Sequence, residues 1–225
     1  MLYEDVLKRL KSFSNPKNVE GMARFGINPK NTLGVSMPVL RKVGKELGKN
    51  HDLALKLWSS RIHEARILAA LVDDPKKVTE KQMDSWVKDF DSWDVCDQVC
   101  MNLFDKTPFA TKKVFEWAAH EEEFVRRAAF SLMASLSFHN KSMPDSEFRK
   151  FFPIIKKYSC DERNFVKKSV NWALRQIGKR NKVLNKEAVK TADEILRFDS
   201  KAAKWIATDA LKELKNEKII KKLRL

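Results

Sequence analysis

The chain has 225 residues, 43% of them hydrophobic and 10% aromatic, enough to build one large domain or two small ones around a real core. Its 45 Lys and Arg against 30 Asp and Glu leave a net charge of +15 and a pI near 9.7, which points to a polyanionic partner: nucleic acid first, an anionic membrane surface second. No stretch approaches the roughly 18 uninterrupted apolar residues of a membrane span, and MLYEDVLKRLKSF carries charge where a signal peptide has its apolar segment, so a soluble, cytoplasmic protein is expected.

Six glycines, seven prolines and no sustained alternation of β-branched residues predict an all-α fold. The segment before Pro16 reads as an amphipathic helix. Breaks at SNPKN, INPKNTLGVSMP, DDPKK, TPF, SMPDS and KRNKVLN then separate helical segments of ordinary length. No linker divides them, so residues 1–225 read as one domain, with the N-terminal helices (about residues 1–50) capping the remainder.

RIHEARILAALV from Arg61 is a loose early copy of a pattern that becomes clear further on. Before that pattern comes DSWDVCDQVC from Asp91, an acidic cluster in a basic chain. Asp91 or Ser92 can cap a helix running through Cys100 to Phe104, which leaves Asp91 and Asp94 at its first turn, where the helix dipole stabilises carboxylates. Cys96 and Cys100 share a side with Val99 and Leu103 and read as small core residues. Their C-x3-C spacing finds no second cysteine pair, Cys160 stands apart, and the four histidines are scattered, so a metal site is not expected. Three cysteines form no even disulfide set, which suits a reducing compartment. Trp93 and Asp97 remain, neighbours at i and i+4 on the margin of the apolar stripe. Asp97 either pairs with an arginine or has chemistry to do. A fixed anion can stabilise the oxocarbenium character of a sugar whose glycosidic bond is breaking, or position the attacking water.

FVRRAAFSLMAS from Phe124 recurs as FVKKSVNWALRQ from Phe165, 41 residues on, and ALKEL from Ala210 weakly repeats ALRQI from Ala173. The offset falls in the roughly 40 to 47 residue range of helical HEAT and armadillo repeats, whose stacked helix pairs form a curved solenoid. In the later copy Val166, Val170, Ala173 and Ile177 form an apolar stripe, with Lys168, Trp172, Arg175 and Lys179 almost opposite. A tryptophan among cations can touch sugar or base while the cations meet phosphate; the plainer reading packs Trp172 on the next repeat and leaves the cations solvated. In the earlier copy Val125, Ala129, Leu132 and Leu136 are apolar, and Arg127 takes the place of Lys168. A lone exposed arginine is by default solvated surface, so the repetition is what marks this one.

These segments together resemble the AlkD-type DNA alkylation repair glycosylases, which are built of HEAT-like repeats. The likeness covers most of the chain, through MARFGI from Met22, SWDVCD from Ser92, FVRRAA and FVKKSVNWALR. It implies a concave basic groove in which Asp97 is the catalytic carboxylate, Trp93 and Trp172 flank the deoxyribose and backbone, and Arg127 holds a nearby phosphate. It also places Phe25 of the MAR segment on the same wall; Arg24 beside it and the stripe cations Lys168, Arg175 and Lys179 are the candidate DNA-backbone contacts. The implied activity is hydrolysis of the N-glycosidic bond of N3- or N7-alkylated purines in double-stranded DNA, by a monomer associated with the nucleoid, without metal or cofactor and without a base-flipping pocket. Ser92 stands where the family's best-known form has a further tryptophan, and Phe25 where the family often has tyrosine. Some relatives with this fold bind unusual DNA structures without excising bases, so a non-catalytic protein for damaged or branched DNA is the alternative, and a scaffold for an acidic protein partner a third.

Overall fold

Polar residues start many of the helices, two of them, Asn15 and Asn181, within the predicted breaks. Asn15, Asn50, Thr79, Asn181 and Ser200 each accept a backbone N–H three residues on with their side chains, satisfying donors that a helix start leaves open. The computed structural model describes residues 2–223, and among these there are helices and turns but no strand. Two compact units divide the chain between Pro108 and Phe109.

The first unit contains α1 (Tyr3–Ser12), α2 (Pro16–Arg24), α3 (Met37–Leu47), α4 (His51–Ser59), α5 (His63–Val72), α6 (Glu80–Lys88) and α7 (Trp93–Asn102), followed by a short 3-10 turn at Phe104–Lys106. Helix α5, the RIHEARILAALV segment, is its axis: α3, α4 and α7 all pack on it, and its residues from His63 to Ala70 are buried all round. Beside it Trp58 of α4 stacks on Trp86 of α6, with ring centroids 4.1 Å apart and planes 2° from parallel, and the Arg66 guanidinium lies 5.0 Å from the Trp58 ring. Such aromatic pairs contribute about 0.5–1.5 kcal/mol beyond the area they bury.

The second unit contains α8 (Ala110–Ala118), α9 (Glu123–His139), α10 (Asp145–Arg149), α11 (Phe151–Tyr158), α12 (Asn164–Gly178), α13 (Lys182–Ile195), α14 (Lys201–Leu214) and α15 (Glu217–Ile220). Helices α9, α12 and α14 stack in succession, and α8, α11 and α13 back them. The repeated sequence becomes repeated contact: Phe124 and Phe165, which open the two copies, stack at 5.5 Å. The predicted stripes are core, with Val166, Val170, Ala173 and Ile177 all fully buried and Val125, Ala129, Leu132 and Leu136 at most 2% exposed. Between the copies, Arg126 and Arg163 converge on Asp161 at 2.6 and 2.5 Å. Burial alone would raise that carboxyl, but the two guanidiniums hold it below the usual carboxylate range.

Candidate functional site

The acidic stretch at α7 is tied to two distant segments of the first unit. Ser92 sits at the N-cap position, yet its hydroxyl does not cap its own helix. It is fully buried and accepts the Asn28 backbone N–H at 2.9 Å, while Asn28 Nδ2 donates to Asp91 at 2.9 Å. Trp93 Nε1 donates to the Phe25 carbonyl at 3.0 Å. Phe25 and Trp93 are therefore brought together, the first 75% exposed and the second half-buried. Arg24, one residue earlier, is exposed.

Asp94 is more than a first-turn carboxylate. Its Oδ2 meets His63 Nε2 at 2.8 Å, and its Oδ1 is buried with no hydrogen-bond partner among the described residues. For His63 the dominant effect is burial, which lowers the imidazole pKa, but the hydrogen bond and charge of Asp94, with Glu64 and Asp91, outweigh it and the net direction is upward. Glu64, wholly buried, accepts the backbone N–H groups of Leu33, Gly34 and Val35 at 2.8, 2.6 and 3.2 Å. Gly34 has φ +78°, and a Cβ there would lie 2.2 Å from the Asn15 carbonyl oxygen, so only glycine lets this loop close against the start of α2.

That closure creates a cavity of about 720 Å³ between α2, the loop, α5 and α7. Phe25, Met22, Met37, Ile67, Trp93 and Asp94 are among its walls. Nothing in the sequence marks this space, because its walls come from residues more than 60 positions apart and from a loop with no motif of its own. His63, Glu64 and Asp94 share no motif in the sequence; the charges interrupting the apolar run of RIHEARILAALV are the signal that marks the first two.

Asp97 lies one turn beyond Trp93 on α7 and is 8% exposed. Cys96 and Cys100 are fully buried, as their phase predicts, and burial pushes the Cys100 thiol well above its ordinary value, away from thiolate chemistry. Among the described residues no three His, Cys, Asp or Glu side chains are placed to hold a metal ion.

In the second unit Arg127 departs from the surface position its helical phase implies. It is 5% exposed, and its Nη1 donates to the Phe165 carbonyl at 2.6 Å. The reason is that α9 is covered by α8 on one side and α12 on another, so the face opposite its apolar stripe is also interior. Trp172 is half-buried on α12, 6.5 Å in ring centroids from Phe138, and with the Gln176 amide oxygen turned toward them Trp172 Nε1 and Lys179 Nζ both donate to it at 3.2 Å. Arg175 and Lys179 each reach Glu213 of α14 at 2.6 Å, so the cations flanking Trp172 are partly neutralised by the next repeat. Lys168, one turn before Trp172, is exposed.

The sequence profile of the DNA alkylation repair enzyme family matches residues 6–214. Among solved structures, a protein described as one of a new family related to the HEAT-like repeat DNA glycosylases, with affinity for branched DNA structures, superposes with a TM-score of 0.79 at 18% identity, over 95% of this chain and 96% of its own. That likeness establishes a HEAT-like fold. An engineered protein and a designed armadillo repeat protein in complex with the peptide (KR)4 reach TM-scores of only 0.36 and 0.37, each at 14% identity, over 88% and 81% of this chain and 97% and 87% of theirs. No curated protein matches the sequence significantly. With the profile spanning nearly the whole chain and the fold that of HEAT-like repeats, the chain belongs to the DNA alkylation repair enzyme family.

Proposed function

We propose that the protein is a monofunctional DNA glycosylase that hydrolyses the N-glycosidic bond of N3- or N7-alkylated purines in double-stranded DNA. The observation that carries this reading is Asp97, a carboxylate 8% exposed, held by α7 one turn from a tryptophan whose indole is fixed by a backbone carbonyl, in a chain of net charge +15. An anion is an unfavourable neighbour for DNA phosphates, and its retention here fits a role toward a cation that forms during reaction.

Alkylation at N3 or N7 makes the purine a cation. When the C1′–N9 bond breaks, its electron pair leaves with the base, which departs neutral, and positive charge passes to the sugar C1′ and ring oxygen. In this proposal the Asp97 carboxylate stabilises that charge, water adds its oxygen to C1′, and the proton lost by the water passes to Asp97 and then to solvent. The products are the free base and an abasic sugar. Trp93 is assigned to the deoxyribose, Trp172 to the DNA backbone, and the exposed Arg24 and Lys168 to phosphates, while Arg127, buried and bonded to the Phe165 carbonyl, is assigned to holding α12 in place behind that surface. Arg175 and Lys179, already engaged with Glu213, are assigned a lesser share of the phosphate contact.

A second reading has its own support: the solved structure most like this fold among those above is of a protein with affinity for branched DNA. In that reading the protein binds distorted DNA and leaves the glycosidic bond intact. Incubation with duplex DNA treated with a methylating agent separates the two. The glycosylase reading expects free 7-methylguanine or 3-methyladenine in the supernatant; binding to junction DNA with no base released would replace it with the second.

A further inference from the structure

Of the six tryptophans, Trp58, Trp86 and Trp117 are core, and Trp93 and Trp172 have been assigned to the deoxyribose and the DNA backbone. Trp205 has neither place. It stands on α14, in the second unit, and is 41% exposed, the most exposed of the six, although an indole is ordinarily largely buried. Its position in the repeat is defined: Arg127, Lys168 and Trp205 are the fifth residues of α9, α12 and α14. Between α12 and α14 the side chains meet in rungs 38 residues apart. Asn171 donates to Asp209 at 2.6 Å, and Arg175 donates to Glu213 at 2.6 Å. One turn before these, at the same offset, Lys167 Nζ lies 5.3 Å from the centre of the Trp205 ring. In the later rungs a carboxylate takes up the polar group of α12. In the first an indole stands in that place, and an aromatic face attracts an ammonium without cancelling its charge.

The neighbours of this pair select the ligand class. Lys201 lies one turn before Trp205 on the same side of α14, Lys204 is beside it, and Lys168 follows Lys167; Lys168, Lys201 and Lys204 are all exposed. Of the carboxylates here, Glu162 already accepts from the Ser200 hydroxyl at 2.9 Å and the Ala202 N–H at 3.0 Å, and Asp199 lies 3.3 Å from Lys204. The lysines outnumber these carboxylates around an aromatic ring open to solvent. That combination suits a single strand, whose bases stack on the ring while the cations follow its phosphates. Paired DNA keeps its base faces inside the stack and offers the indole nothing of the kind. We propose that Trp205, with Lys167, Lys168 and Lys201, is a platform for an unpaired nucleotide of DNA, its base stacked on the indole and its flanking phosphates met by the lysines. A duplex that continues into a single strand then gains a contact that a blunt duplex lacks. The proposal rests on DNA as the partner, which both readings above share, and not on cleavage of the glycosidic bond.

Fluorescence anisotropy of the full-length protein tests this with two probes, a blunt duplex and the same duplex carrying an unpaired thymidine tail of about ten nucleotides. The wild type should bind the tailed duplex about tenfold more tightly, Trp205→Ala should erase that preference, and Trp205→Phe, whose smaller ring still stacks, should keep most of it. Because the indole meets base and not phosphate, Trp205→Ala should leave the slope of log affinity against log salt on the tailed duplex as it is, whereas Lys201→Ala should reduce it by roughly 0.7. Circular dichroism of the variants confirms folding at these exposed positions. Irradiation of wild-type protein bound to a tail containing iodouracil reads the contact without any substitution, and the cross-link should fall on Trp205. Indifference of the wild type to the tail, retention of the preference by Trp205→Ala, an equal loss by that variant on blunt and tailed duplex, or a cross-link elsewhere would overturn the platform while leaving DNA as the partner. Failure of the wild type to bind either duplex defeats DNA as the partner and the platform with it. Binding without base release from methylated duplex defeats the glycosylase reading alone.

Discussion

Replacing Glu64 with glutamine should loosen the loop that closes the cavity. In the native protein one carboxylate oxygen accepts from Gly34 at 2.6 Å and Val35 at 3.2 Å, and the other accepts from Leu33 at 2.8 Å, all with no solvent contact at the carboxylate. Glutamine keeps the shape but converts one oxygen to an NH2 group. With its oxygen placed on Gly34 and Val35, the NH2 faces the Leu33 N–H donor to donor. The buried, unsatisfied N–H costs about 1–3 kcal/mol, and the two remaining hydrogen bonds lose their charge assistance, so a total of roughly 2–4 kcal/mol is expected. In a chain of this length that lowers the thermal midpoint by roughly 5–15 °C, read by circular dichroism at 222 nm. Glu187→Gln is the matched control: its partner Arg149 is exposed and the pair should contribute at most about 1 kcal/mol. A midpoint for Glu64→Gln within about 1 °C of the control would refute the reasoning that Glu64 anchors the loop.

Gly34→Ala should be at least as damaging, because a Cβ would meet the Asn15 carbonyl at 2.2 Å on a backbone with positive φ; urea unfolding should show a loss above about 2 kcal/mol, and an unchanged midpoint would mean the loop is free to move. His63 carries a pH signature. Its folded pKa is raised, so the folded state holds the proton more tightly, and the stability the His63–Asp94 pair contributes is fully present below the ordinary histidine value of about 6.5 and is lost as pH rises through the elevated one. The stability gap between wild type and His63→Gln should therefore narrow from about pH 6 to pH 8.5 in urea titrations; a gap that widens would have the sign wrong.

The helices were legible because the breakers are few and placed at the starts, with Asn15 and Asn181 acting as caps where the polar turns predict them; the caps at Asn50 and Ser200 carry no Pro or Gly cluster and were not foreseen. The repeat was legible for the same reason that it is stable: Phe124 and Phe165 stack on one another, so the sequence copies are also contact partners. Helical phase misplaced Arg127, since phase identifies one apolar face and cannot reveal that a neighbouring repeat covers the opposite one. The same blindness hid Glu213, which engages Arg175 and Lys179 from 38 and 34 residues away. Around α7, the phase placed Cys96 and Cys100 correctly in the core but could not foretell that Ser92 and Trp93 bond to Asn28 and Phe25. Those bonds depend on a loop whose path is fixed by Glu64 and Gly34, and such long-range closure leaves no periodic trace in the sequence.

The central claim concerns one carboxylate, and single-turnover release of 7-methylguanine from a defined duplex, with wild type beside Asp97→Asn and DNA affinity measured in parallel, tests it most directly. The account predicts that the wild type releases the base without added metal, and that Asp97→Asn slows release by roughly 10²–10³-fold while keeping its affinity for the duplex within a few-fold. Release by Asp97→Asn at the wild-type rate would contradict it.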